Sequence, residues 1–140
     1  MKNLLDTCVI SEYKKPQPNQ NVIKWLDEQL EESLFISVLT IGEIEKGIAK
    51  MPMSKRKDDL ELFLENLVTR FDRRILPIDV KIMRCWGKLV GELENKGRVL
   101  PIVDSMIAAT ALENNLTIIT QNVADFADTD VNILNIWKGI

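Results

Sequence analysis

Four places in the chain carry side chains able to act together. Asp6 ends the apolar run Asn3-Leu4-Leu5 and is followed at once by the hydroxyl residue Thr7. Glu43 lies just past the run Leu34-Phe35-Ile36-Ser37-Val38, Asp104 opens an apolar stretch, and the pair Asn122/Asp125 follows Leu116-Thr117-Ile118-Ile119-Thr120. A carboxylate at the carboxyl end of a buried strand stands where open α/β sheets place their ligands. In a parallel sheet all strand ends point to one edge, so these groups share a rim. Two carboxylates about 4 Å apart repel by roughly 4 kcal/mol at an effective dielectric near 20. Three of them strain a fold unless a cation neutralises them or one keeps a proton. Oxygen donors favour Mg²⁺ or Mn²⁺ over zinc, and metal-assisted hydrolysis of a phosphodiester is the chemistry such a site suits.

Each acid also has an ordinary structural explanation. Asp6 can cap a helix that starts after the strand. Glu43 fits a capping box with Thr40. Asp104 sits in a first helical turn, where negative charge is favoured, and Asp125 and Asp128 suit turns. Singly these readings are sufficient; the recurrence of one pattern at four sites points to a shared centre.

Composition narrows the chemistry. The chain has 140 residues, 46% hydrophobic and 28% charged, the profile of one soluble globular domain spanning residues 1–140. No apolar run is long enough for a bilayer, and the first is interrupted at Asp6, so no leader and a cytoplasmic protein are expected. Histidine is absent. That excludes Ser-His-Asp triads, Cys-His pairs and histidine-ligated metals. Cys8 and Cys85 make neither a disulfide framework nor a zinc motif. The net charge of −3 decides little, since acidic ligands inflate the negative count.

The elements that must position these acids alternate. A strand ending at Asp6 leads to a turn or helix start, then to the Pro16 and Pro18 turn. A helix spans about residues 21–32, with Val22, Ile23, Leu26 and Leu30 inward and Trp25 at the border. A strand over 34–38 precedes a helix opening at Thr40 and ending near Met51. Ser54 caps a helix to about Phe71, which buries Leu60, Phe63, Leu64, Leu67 and Phe71. After a strand at 74–78, Asp79 caps a helix to Asn95 that stops at Gly97, with Val80, Met83, Trp86, Val90 and Leu93 inward. A largely buried helix over 103–113, a strand over 116–120, a loop and a strand over 131–134 complete the chain. This alternation predicts a three-layer α/β/α domain with a central parallel sheet.

The chain resembles the PIN-domain family, and within it the VapC and FitB-like toxins of bacterial toxin–antitoxin pairs. The likeness is carried by Leu4-Leu5-Asp6-Thr7 with Ile10-Ser11-Glu12, by Ile36-Ser37 through Thr40-Ile41-Gly42-Glu43 with Gly47-Ile48, by Asp104 with Ile107-Ala108-Ala109-Thr110-Ala111, and by Thr120-Gln121-Asn122 with Asp125-Phe126. The resemblance implies a Mg²⁺- or Mn²⁺-dependent endoribonuclease with Asp6, Glu43 and Asp104 as catalytic metal ligands and Asn122 and Asp125 in support. It implies a VapB-like antitoxin as protein partner and a homodimer. Asn122 stands where the family often has an acid, Cys8 where it usually has asparagine and Gln121 where it usually has arginine. Two other readings stay open: a PIN nuclease of RNA maturation or of DNA, and a non-catalytic domain binding a partner in a DNA-bound complex.

Among the basic residues, Lys46 lies one helical turn from Glu43 and is the candidate for RNA contact. Lys81, Arg84 and Lys88 form a stripe that reads as a solvated face. Trp25, Trp86 and Trp137 are not interleaved with basic residues and read as packing residues. The helix ending at Phe71 carries more apolar residues than one buried face needs, and the excess suits an antitoxin or a second copy.

Overall fold

The computed structural model describes residues 1–138. In chain order it contains β1 (Asn3–Leu5), α1 (Thr7–Tyr13), α2 (Gln20–Glu28), β2 (Leu34–Ser37), α3 (Val38–Ala49), α4 (Lys55–Arg70), β3 (Ile75–Leu76), α5 (Val80–Asn95), α6 (Ile102–Asn114), β4 (Thr117–Ile119) and β5 (Ile133–Leu134), with short 3-10 turns at Glu31–Ser33 and Val123–Phe126. The strands form one sheet in the order β3-β2-β1-β4-β5. Every neighbouring pair is parallel, with Leu4 aligned between Phe35 and Ile118 and Leu5 beside Ile119. From β1 the chain builds outward to β3, then returns to lay β4 against the other side of β1. The order therefore reverses between β1 and β4, where α/β sheets open a crevice at their carboxyl ends.

Alternation along each strand fills two helix layers. Leu5, Ile36 and Ile119 meet Val9, Ile10, Val22, Trp25, Ile44, Ile48, Leu64 and Leu67 from α1 to α4. Leu4 and Ile118 turn to the opposite face, onto Ile107, Ala108 and Ala111 of α6 and Phe126. The small alanines let α6 lie close to the sheet, and its helix is buried as its composition predicts. The expected three-layer architecture is the one observed.

Local signals explain most boundaries. Ser54 Oγ accepts the N–H of Lys57 at 3.1 Å, and Asp79 Oδ1 accepts that of Ile82 at 2.9 Å. Gly97 takes φ of +78° just beyond α5, a conformation that favours glycine, and Asn115 closes α6 at φ +56°. Four details differ from the sequence reading. Residues 7–13 form a full helix, too short to show an apolar period but anchored by buried Val9 and Ile10. The second helix stops at Glu28, which leaves Leu30 69% exposed. The cap of α3 is Ser37, whose Oγ accepts the Leu39 N–H at 3.0 Å; Thr40 is thus inside the helix and makes no capping box with Glu43. Val80 and Met83 are exposed, at 75% and 38%, because α5 presents Ile82 to the core together with the expected Leu93.

Candidate active site

Asp6 caps α1 at the carboxyl end of β1, and the backbone N–H of Thr7 donates to its Oδ1 at 2.8 Å. Thr120, the residue after β4, donates its hydroxyl to Asp6 Oδ2 at 2.8 Å. That bond spans the switch point between the two strands. The Cys8 thiol approaches the same oxygen at 3.9 Å. Burial pushes the Asp6 carboxyl up from its ordinary value, against the hydrogen bonds from Thr120 and Thr7, and the charge of Glu43 adds to the rise.

Glu43 projects from the second turn of α3 and is exposed. Its Oε1 accepts the Thr7 hydroxyl at 2.7 Å, a hydroxyl that also lies 3.4 Å from Thr40 Oγ1. Thr7 therefore joins the first and second acidic elements from one position, with its backbone on Asp6 and its side chain on Glu43. Asp104 stands in the first turn of α6, whose N-cap is Pro101 with no side-chain cap. Its carboxyl is pushed up to about 6, first by desolvation and then by the charges of Asp6, Asp125 and Glu43. These four acids thus share one electrostatic environment. Among the described residues, no group of three acidic or cysteine side chains closes into a metal cage.

Asp125 lies in the 3-10 turn after β4, where the Asn122 carbonyl accepts its N–H at 3.1 Å. The Asn122 N–H in turn donates to Thr120 Oγ1 at 3.0 Å, so one hydroxyl orders both Asp6 and this loop. Arg98, in the α5–α6 connection, donates to the Ala124 carbonyl at 3.1 Å and pairs with Asp128 at 2.8 Å. This ties the loop carrying Asp125 to the segment that leads into Asp104. The side chain of Asn122 is exposed, and Lys46 is exposed on α3 one turn beyond Glu43. Thr7, Thr120 and Arg98 are the residues that sequence reading did not assign a role. A hydroxyl next to an acid was visible at Thr7; the pairing of Thr120 with Asp6, 114 residues apart, had no local signal.

The donor set suits a hard cation. It is oxygen only, and none of the ion pairs among the described residues uses Asp6, Glu43, Asp104 or Asp125. Among the described residues no basic side chain pairs with them, and carboxylate oxygens of this kind are donors that could hold a hard divalent ion.

The PIN domain family model matches residues 4–132. Among curated relatives, the plasmid stability protein StbB of Pseudomonas syringae pv. tomato is 37% identical over 96% of this chain and 98% of its own length. The toxin FitB of Neisseria gonorrhoeae is 36% identical over 96% and 97%. The VapC ribonuclease Y4jK of Sinorhizobium fredii is 33% identical over 96% and 97%. The crystal structure of FitAcB from Neisseria gonorrhoeae superposes with a TM-score of 0.91 at 35% identity, covering 96% of this chain and 98% of the other. With a parallel sheet ordered as described, acids gathered at its switch point and a family match over nearly its whole length, the chain belongs to the PIN domain family.

Proposed function

We propose that this protein is the ribonuclease toxin of a toxin–antitoxin pair, an endoribonuclease that hydrolyses RNA phosphodiester bonds at Asp6, Glu43 and Asp104. The observation that carries the proposal is the environment of Asp104, whose carboxyl is raised to about 6 by burial and by three neighbouring acids. Such a pocket repels a phosphodiester unless a cation intervenes. Asp6, Glu43 and Asp104 would hold Mg²⁺ or Mn²⁺, with Asp125 beside them. A bound divalent ion supplies Lewis-acid polarisation of the phosphate and makes water a stronger nucleophile near neutral pH.

The chain's own residues do the positioning. Thr120 and the Thr7 N–H fix both oxygens of Asp6, and the Thr7 hydroxyl holds Glu43 from the adjoining element. Asp104 keeps its proton at mildly acidic pH and releases it when positive charge arrives. Lys46, on the helix that carries Glu43, supplies a cation for the RNA backbone.

Similarity to a named toxin and to solved toxin–antitoxin complexes supports an antitoxin partner. So does an apolar cleft of about 250 Å³ between α1, α2 and α4, lined by Ile10, Tyr13, Leu26, Phe63 and Leu67 with Arg70 at its side. The test is cleavage of structured RNA by the purified protein with Mg²⁺ or Mn²⁺, with chelator, and with the Asp6→Asn variant. Cleavage that survives chelation or the substitution would overturn the proposal. Expression in bacteria gives a second readout: growth arrest relieved by Asp104→Asn is the expected result.

A further inference from the structure

A second cleft, of about 650 Å³, opens between the loop after β4 and the segment that follows β5. Its lining includes Gln121, Asn122, Asp125, Asn135, Trp137 and Lys138. The size falls in the range of small-ligand clefts, about 300–1,000 Å³. It adjoins the acidic pocket, because Asp125 belongs to its lining and also raises the carboxyl of Asp104.

Its far wall is fixed rather than loose. Trp137 donates its indole N–H to buried Glu12 at 3.3 Å, and its carbonyl accepts the Asn21 amide at 2.8 Å. Asn135 Oδ1 accepts the Trp137 N–H at 2.9 Å, which holds the turn. Glu12 is itself held by Lys15 at 2.9 Å and by the Asn19 N–H at 2.8 Å. Trp137 is half-buried, so part of the indole remains available in a preorganised position. Among the described hydrogen bonds, the side-chain amides of Gln121 and Asn122 have no protein partner.

The geometry points to a nucleobase subsite here, in which the amides of Gln121, Asn122 and Asn135 read the edge of an unpaired RNA base that packs against Trp137. This rests on the ribonuclease reading above. Asparagine and glutamine amides carry a donor and an acceptor side by side, the pattern that base edges complement. Single-stranded bases are recognised by such edge contacts together with aromatic surface. The lining is mixed: Val123, Ala124 and Trp137 give apolar surface for the faces of a base, the three amides give partners for its edge, and Asp125 forms the wall towards the acidic pocket. Lys138 adds a positive charge for the strand as it leaves the subsite.

The test measures binding apart from cleavage. Fluorescence anisotropy of a short labelled single-stranded oligoribonucleotide with cleavage-resistant phosphorothioate linkages, in Mg²⁺, compares wild type, Gln121→Ala and Gln121→Ala/Lys138→Ala. An oligonucleotide abasic at successive positions is run beside it, and circular dichroism checks the fold of each variant. Loss of one well-placed base contact weakens binding by about tenfold. That loss is expected for Gln121→Ala, with one abasic position costing wild type more, because it also removes the contacts to Asn122, Asn135 and Trp137, and costing the variant less than it costs wild type. In Mg²⁺, the variant's cleavage of a mixed-sequence RNA is expected to lose base preference. Unchanged affinity and preference would overturn the subsite while metal-dependent cleavage by wild type left the nuclease reading standing. Weakened capture of the antitoxin with RNA binding intact would reassign the cleft to protein and overturn it as well. If wild type neither binds nor cuts RNA, both readings fall.

Discussion

Replacing Asp104 with asparagine is expected to stabilise the metal-free protein at neutral pH. The carboxyl is raised from 3.8 to about 6, chiefly by desolvation and then by Asp6, Asp125 and Glu43. At about 1.4 kcal/mol per pKa unit, the ionised form costs at most roughly 3 kcal/mol. Asp104 is only partly buried, so solvent screening reduces that ceiling, and about 1 kcal/mol is the expected gain on removing the charge. The sign follows from proton linkage. Between pH 4 and about 6 the folded state binds more protons than the unfolded chain, so the contribution of Asp104 becomes unfavourable as pH rises through that window. Asp104→Asn and wild type should therefore have nearly equal stability at pH 4 and diverge by pH 8, with the variant melting about 2–4 °C higher. Saturating Mg²⁺ or Mn²⁺ should invert the order, because the ion binds and stabilises the folded wild type. Calorimetric melting with chelator and with metal, at both pH values, makes the comparison. A variant less stable than wild type at pH 8 in chelator would refute the claim that these carboxylates confront one another.

Three further outcomes follow from the same geometry. Thr120→Val, nearly isosteric, leaves a buried oxygen of Asp6 without its hydroxyl donor; it should cost about 1–3 kcal/mol in urea unfolding, and as a ligand-orienting partner it should weaken Mn²⁺ binding about 10–100-fold by calorimetry. Asp6→Asn should lower RNA cleavage by more than that outer-partner range, about 100-fold or beyond, with the fold intact by circular dichroism. Tyr13→Ala, at a 46% exposed position lining the apolar cleft, should move stability by no more than about 0.5 kcal/mol yet weaken antitoxin capture by about 2 kcal/mol in a surface-binding titration.

The sheet was legible because its strands are short apolar runs set between helix signals that the structure uses: Ser54 and Asp79 cap helix starts, and Gly97 and Asn115 mark helix ends. Asp6 was placed for the same reason, since it directly follows β1, whereas Glu43 lies in the second turn of α3 and Asp104 in the first turn of α6, which follows a helix. What sequence reading lacked was any long-range partner. Thr40 offered a capping pattern with Glu43, but Ser37 competes for the same helix start three residues earlier and wins because the strand ends there. Seven residues of α1 are too few for a periodic signal, and they fold as a helix because Asp6 caps them and Val9 and Ile10 reach the core. Trp137 read as a packing residue, and it does pack against the core, while also lining a cleft that only tertiary structure creates.

The acids are held to unequal degrees, and the inequality bears on how the site would work. Asp6 is buried and receives donors on both oxygens from residues fixed by β1 and β4. Glu43 receives one hydroxyl, from Thr7. The carboxylates of Asp104 and Asp125 accept no hydrogen bond among those described, and both stand at helix starts near the loops tied by Arg98. Under the proposed function Asp6 would be the fixed donor to a divalent ion, and Asp104 and Asp125 the less constrained ones. The same arrangement explains why acids that sense one another need not close into a cage beforehand: closing without the ion would increase the repulsion that already raises Asp104. β1 and β4 thus fix Asp6, and under the proposed function the segments before α6 and after β4 would bring Asp104 and Asp125 to a cation that Asp6 holds.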